Sequence, residues 1–69
     1  MVDRDALRNS VHLEDRADLM AASGNFGEAS RLMKEVNAIR AREFGRGLDP
    51  NQLRALTVQA IDGGKADAA

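Results

Sequence analysis

The residues of this 69-residue chain that are most suited to acid–base chemistry are three acids within one short stretch, Glu14, Asp15 and Asp18. Two carboxylates can act together as general acid and base, but glycoside hydrolysis, for example, requires them on either side of a substrate cleft. A chain this short offers no such cleft between separate lobes. We therefore expect these three acids to be charges that face solvent.

Nucleophilic and metal chemistry have even less support. His12 is the only histidine, and the chain has no cysteine, so a metal site would lack the usual nitrogen and sulfur ligands. No serine has a histidine partner at a recognisable spacing; the serines are Ser10, Ser23 and Ser30. The sequence thus predicts no catalytic residue, no metal site and no cofactor, and we expect the protein not to be an enzyme.

A basic stretch raises the possibility of nucleic-acid binding; it consists of Arg40, Arg42, Arg46 and Arg54. Two predicted helices flank the turn within this stretch, as in a helix-turn-helix. A DNA reader of this size is normally basic overall, whereas the formal net charge here is −1. The segment Gly45-Arg46-Gly47 is not followed by the Lys-Ser/Thr of a phosphate loop, and it predicts a helix end instead. Nucleic acid is therefore not the expected partner.

Charge is distributed unevenly along the chain. Residues 1–30 carry three arginines against six acids, whereas residues 31–54 carry six basic residues against three acids. This asymmetry favours the pairing of an acidic first helix with a basic second helix, within one chain or between two.

Early charges and the absence of a long apolar run argue against a signal peptide and against a membrane span. The absence of cysteine leaves no disulfide to stabilise an exported domain. We expect a cytoplasmic protein that does not enter a membrane.

Three helices are predicted, with no strand. The first extends from Asp3, its N-cap, to Ser23, and Gly24 ends it. The second extends from Phe26 to Phe44, with Asn25 and Glu28 at the spacing of a capping box. The third begins at Asp49, with Pro50 in its first turn and Gln52 at the N3 position, and it ends at Gly63 and Gly64. The fold class is therefore all-α, an antiparallel helical hairpin plus a third short helix, with one domain over residues 1–64 and a flexible tail over 65–69.

Apolar spacing predicts which faces are buried. On the first helix the expected core stripe is Val2, Ala6, Leu13, Ala17 and Met20. A second strip beside it holds Leu7, Val11 and Ala22, with Glu14 and Asp18 among them. On the second helix the expected face is Phe26, Ala29, Leu32, Met33, Val36 and Ile39, which Arg40 and Glu43 interrupt. On the third helix it is Leu53, Leu56, Ala60 and Ile61. Leu19 and Val58 fall outside these stripes.

The segment Gly24-Asn25-Phe26-Gly27-Glu28-Ala29, followed by Met33 and Val36, resembles the centre of a tetratricopeptide repeat. Upstream, Leu13, Ala17 and Met20 occupy that family's large, small and aromatic positions. The match covers about residues 10–43, and it departs from the family at Arg16 and at Ala41. A generic helical hairpin is the alternative. The resemblance implies a partner-facing concave surface formed by Val11, Glu14, Asp18, Ala21 and Ala22.

We therefore expect a small helical protein–protein interaction module, an adaptor, chaperone-like or regulatory subunit. Its expected contact residues are Leu7, Val11, Glu14, Asp18, Ala21 and Ala22. The strip of Leu7, Val11 and Ala22 predicts self-association or a hetero-oligomer. A small dimeric DNA-binding regulator, or an antitoxin-like protein, is the alternative function.

Overall fold

The computed structural model describes the backbone of residues 2–68 and the side chains of residues 2–62. Three α-helices make up the fold: α1 (Arg4–Ala22), α2 (Phe26–Phe44) and α3 (Pro50–Ala68). No strand is present in this part of the chain. The predicted all-α class, with three helices in this order, is confirmed.

The start of α1 and the turn to α2 follow from local sequence. A side-chain oxygen of Asp3 accepts a hydrogen bond from the amide of Ala6 at 3.1 Å, which caps α1 as predicted. At the other end, the amide of Gly24 donates to the carbonyl of Ala21, and the amide of Asn25 donates to that of Met20. This pair of bonds is a Schellman motif, and it requires the φ of +83° that Gly24 adopts.

The start of α2 differs from the expectation. Asn25 precedes the helix, but its side chain makes no capping hydrogen bond. Its side-chain nitrogen Nδ2 lies 3.9 Å from the sulfur of Met20. The predicted capping box of Asn25 and Glu28 is therefore wrong. The Schellman motif fixes the backbone of the turn, and the asparagine side chain points back toward α1 rather than forward onto α2.

A complete capping box does form at the start of α3. The amide of Gln52 donates to the Asp49 carboxylate at 2.9 Å, and the amide of Asp49 donates to the side-chain oxygen of Gln52 at 3.0 Å. The helix then continues through Gly63 and Gly64 to Ala68, so the predicted end at these glycines is wrong. With 19 residues, α3 is as long as the other helices rather than short. The flexibility of residues 65–69 stays a prediction, and Ala69 lies outside the described residues.

Helices α1 and α2 pack as an antiparallel pair. The amide of Asp3, just before α1, donates to the carboxylate of Glu43, near the end of α2, at 2.8 Å. Ser10, further along α1, meets Arg40, which is earlier in α2. Residues that advance along one helix therefore contact residues that recede along the other, as the short connection requires.

The buried apolar core is small; it consists of Leu7, Ala17, Ala29, Leu32, Val36 and Leu53. Three polar side chains are equally buried, namely Ser10, Arg40 and Thr57. The small side chains of Ala17 and Ala29 allow the two hairpin helices to approach each other closely. Because the apolar core is this limited, the buried polar groups must be satisfied for the fold to be stable.

The predicted burial of α1 is wrong in its direction. Leu7, Ser10 and Ala17 form the buried face, and Glu14 continues it at the same three- and four-residue spacing. Most of the expected core stripe is only half-buried at its edge; this applies to Val2, Ala6, Leu13 and Met20. The helix is thus rotated so that the boundary between its two apolar strips faces the rest of the molecule.

The predictions for α2 and α3 hold in part. Ala29, Leu32, Val36 and Leu53 are buried as expected, whereas half-burial is found for Met33, Ile39, Leu56, Ala60 and Ile61. Phe26, which was expected on the buried face of the second helix, is exposed. As the first residue of α2, it lies where the chain has just left the Schellman turn, and α1 does not cover it. Leu19 and Val58 are exposed, as their positions outside the stripes predict.

Candidate functional site

Arg40 is the most unusual residue of the hairpin, because a charged side chain with only 1% of its surface exposed lies inside such a small domain. Its Nε donates to the hydroxyl of Ser10 at 3.0 Å, and its Nη2 donates to a carboxylate oxygen of Glu14 at 2.9 Å. An arginine cannot lose its charge at such a site, so these partners have to compensate for its lost hydration.

Glu14 connects all three helices. One carboxylate oxygen accepts from Arg40 of α2, and the other lies 3.6 Å from Nε of Arg54 of α3. The Glu14 side chain is 14% exposed, whereas that of Arg54 is 65% exposed. The bond to Arg40 is therefore the buried, stronger interaction, and the pair with Arg54 is a solvated contact of smaller energy.

Ser10 completes this polar cluster, which we define as Ser10, Glu14, Arg40 and Arg54. The Ser10 hydroxyl accepts from Arg40 and donates to the backbone carbonyl of Leu7 at 2.5 Å. The single hydroxyl of Ser10 thus both donates and accepts a hydrogen bond. With Arg40 enclosed, the hydrogen bonds and ion pairs of this cluster hold the three helices in alignment.

The six predicted contact residues do not form one exposed surface. Leu7 is fully buried, and Glu14 is largely buried and paired with Arg40. A partner cannot reach Leu7, so its assignment to a contact surface is wrong, and Glu14 is occupied by the two arginines. Both lie on the side of α1 that packs within the molecule. The remaining four are accessible to different degrees: Val11 and Ala21 are half-buried, and Asp18 and Ala22 are exposed.

Large exposed apolar side chains occur instead at the end of the hairpin where α1 turns into α2. Leu19 is 66% exposed and Phe26 is 68% exposed. Between them lie the last turn of α1, Ser23 and the Gly24 turn. We call residues 19–26 the hairpin tip. Asp18 directly precedes the tip in sequence and is also exposed.

Sequence reasoning gave part of this site. Leu19 could be found because it lies outside both apolar stripes of α1, and Glu14 and Arg40 were visible as charges that interrupt apolar faces. Phe26 could not be found in this way, since its spacing from Ala29 and Met33 is that of a core residue. The local signal was its position next to the Schellman turn, where little chain is available to cover a side chain.

Two of the four arginines of the basic stretch belong to the polar cluster. Arg40 is enclosed, and Arg54 lies next to Glu14, whereas Arg42 and Arg46 are exposed. The charge available to a phosphate backbone is accordingly smaller than the sequence count indicates.

The described residues show neither a metal site nor a membrane-spanning helix. Among the side chains of residues 2–62, no three acidic or histidine groups converge in a way that could hold a metal ion. None of the three helices, over the same residues, contains a segment that is long and apolar enough to cross a bilayer. The chain matches no family model, no curated protein and no solved structure.

Proposed function

We propose that this chain is a helical protein–protein interaction module, an adaptor, chaperone-like or regulatory subunit, whose contact surface is the hairpin tip. The observation that carries the proposal is the exposure of Leu19 and Phe26 at the same end of the hairpin. The chain has only two aromatic residues. One of them, Phe26, lies on the surface although few large side chains are available for a core. Aromatic residues in such positions are typical anchors of protein interfaces.

The chemistry of the tip indicates what kind of partner it fits. Leu19 and Phe26 would meet an apolar side chain, and the exposed carboxylate of Asp18 would meet a basic one. An amphipathic helix with a lysine or arginine next to its apolar face supplies both. The partner is then another protein, in a hetero-oligomer or a homodimer, and we place the complex in the cytoplasm.

The resemblance to a tetratricopeptide unit is compatible with this role but does not carry it. Asp18, Ala21 and Ala22 would belong to the concave surface in such a unit, and they lie next to Leu19 in α1. The proposal rests on the exposed apolar side chains, which a generic hairpin could present equally well.

DNA binding is the weaker candidate function, because Arg40, one of the four arginines of the basic stretch, is not accessible to a phosphate. Arg40 is enclosed and compensated by Glu14, so a phosphate could reach it only if the hairpin opened. The exposed Arg42 and Arg46 are compatible with weak, sequence-independent contacts at most.

A pull-down from native cytosol at low and at high salt tests the proposal. The wild-type chain is compared with a tip variant, Leu19→Gln with Phe26→Gln, and with the control Val58→Gln, which changes an exposed apolar residue of α3. We expect a protein that the wild type and the control retain at both salt concentrations and that the tip variant loses. Equal retention by the tip variant would contradict the proposal, and retention of nucleic acid that salt abolishes would favour the DNA-binding alternative.

A further inference from the structure

Helix α3 is attached to the hairpin by a small set of contacts. Of its side chains up to residue 62, Leu53 and Thr57 are fully buried. Arg54 adds the pair with Glu14, but most of the Arg54 side chain is in water. By comparison, α2 buries Ala29, Leu32, Val36 and Arg40. Over residues 50–62, the fully buried side chains of α3 therefore lie within the single segment from Leu53 to Thr57, and Leu56, Ala60 and Ile61 add half-buried contacts.

The overall dimensions agree with partial docking. The radius of gyration is 12.7 Å, whereas a compact chain of this length has a value of about 11 Å. The molecule measures 40 × 26 × 18 Å, which is longer than a 19-residue helix of about 28 Å. The three helices therefore form an elongated molecule rather than a fully compact one.

The connection between α2 and α3 contains two glycines whose backbone conformation turns the chain. Gly45 and Gly47 have φ angles of +104° and +93°, and a Cβ atom at either position would meet nothing within 4 Å. The backbone conformation therefore favours glycine at these two positions, whereas the space around them would admit a larger side chain. A change of their dihedral angles would swing α3 away from the hairpin without disturbing any side chain at the glycines themselves, and the contacts that α3 makes through Leu53, Arg54 and Thr57 would be broken.

We propose that α3 is exchangeable, and that the hairpin face around Glu14 also accepts α3 from a second copy of this chain. The second copy supplies the matching chemistry by construction: Leu53 and Thr57 for the buried contact and Arg54 for the carboxylate of Glu14. Each α3 leaves one hairpin and enters the other, so the two-fold exchange preserves the contacts that the single chain makes.

The face that accepts α3 is separate from the hairpin tip, so exchange of α3 goes beyond the proposed function, and either can fail without the other. Within one chain, the short linker presents α3 at an effective concentration on the order of millimolar. The closed single chain should therefore dominate at micromolar concentration, and exchange should dominate when the linker can no longer fold back.

A fused-helix variant tests the exchange directly. It carries Gly45→Ala, Gly47→Ala, Asp49→Ala and Pro50→Ala, which remove both positive-φ glycines, the N-cap and the proline, so that α2 continues into α3. In sedimentation equilibrium at about 50 micromolar, well below that effective concentration, we expect the mass of one chain for the wild type and of two chains for the variant. A fused-helix variant with the mass of one chain would overturn the proposal.

Two further substitutions in the fused-helix variant identify the surface. Leu53→Asp should return it to the mass of one chain, because α3 can then dock on neither hairpin. Phe26→Gln should leave the mass of two chains unchanged. A dimer that survives Leu53→Asp, or one that Phe26→Gln dissociates, would place the association elsewhere and overturn the exchange, and the latter result would leave the proposed role of the tip intact.

A peptide with the sequence of residues 48–69 provides a test that does not depend on the fused variant. The fluorescence anisotropy of this labelled peptide is measured during titration with the full chain carrying Leu53→Asp, in which we expect α3 to be undocked. A second titration uses the wild-type chain. We expect at least tenfold tighter binding to the Leu53→Asp chain, since the wild-type α3 competes for the same face. No binding to the Leu53→Asp chain, or equal binding of a peptide that itself carries Leu53→Asp, would contradict exchange.

Discussion

The guanidinium of Arg40 donates a hydrogen bond of 2.9 Å to the carboxylate of Glu14, and this pair joins the middle of α1 to the second half of α2. Because Arg40 is enclosed, the two helices cannot rotate or slide without leaving a buried charge uncompensated. The pair therefore explains why Leu7, Ser10 and Ala17 face inward on α1 rather than the more apolar stripe of Leu13 and Met20.

Removal of one partner of this pair should destabilise the protein more than removal of both. Glu14→Leu leaves the Arg40 charge buried with only Ser10 as its partner, and we expect a loss of roughly 3 kcal/mol or more in the free energy of unfolding. Glu14→Leu together with Arg40→Met should recover most of this loss, because neither side chain then carries a charge. Urea unfolding followed by circular dichroism measures all three proteins. A double variant that loses as much stability as Glu14→Leu alone, or more, would show that the pair is not enclosed.

Ser10 and Thr57 are both buried hydroxyls, but they should differ in their contribution to stability. Ser10→Ala removes an acceptor from the charged Arg40, which should cost about 1.5–3 kcal/mol. Thr57 donates to the backbone carbonyl of Leu53 at 2.7 Å and bonds to no charged group. Thr57→Val keeps the shape of the side chain, and we expect a change under about 1 kcal/mol. Thermal unfolding of the two variants side by side tests this contrast, and a larger loss for Thr57→Val would reverse it.

The capping box that forms at the start of α3 and the one predicted at the start of α2 should also differ in their contribution to stability. Asp49→Ala removes a bond that the structure contains and should cost about 1 kcal/mol. Asn25→Ala removes no capping bond and should change stability by less than about 0.5 kcal/mol.

Amide hydrogen exchange in the Asp49→Ala protein locates the effect of that cap. We expect faster exchange over residues 51–61 before any change in α1 and α2, because few contacts hold α3 to the hairpin. Uniform acceleration in all three helices would instead indicate one cooperative bundle.

The helices themselves could be predicted because their signals are local. Asp3, Gly24 and Asp49 fix three helix boundaries through hydrogen bonds or dihedral angles that need only neighbouring residues. The end of α3 was missed at Gly63 and Gly64, since a glycine pair lowers helix stability without always ending a helix.

The burial pattern could not be predicted as well, because it depends on pairs that are distant in sequence. Glu14 and Arg40 are 26 residues apart, and each one alone appears as a defect in an apolar face. Only when they are paired does the rotation of α1 follow, and with it the burial of Leu7 and the half-burial of Met20. Phe26 likewise satisfies the spacing of a core residue, and its exposure follows from the path of the turn.

The exposure of Phe26 is the central claim, because the proposed contact surface depends on it. The decisive measurement is the free energy of unfolding of Phe26→Ala compared with that of Leu7→Ala, by urea titration at neutral pH. We expect Leu7→Ala to lose about 2–5 kcal/mol, since Leu7 is fully buried, and Phe26→Ala to stay within about 0.5 kcal/mol of the wild type. A loss of about 3–5 kcal/mol for Phe26→Ala would place this ring in the core and contradict the tip as a binding surface.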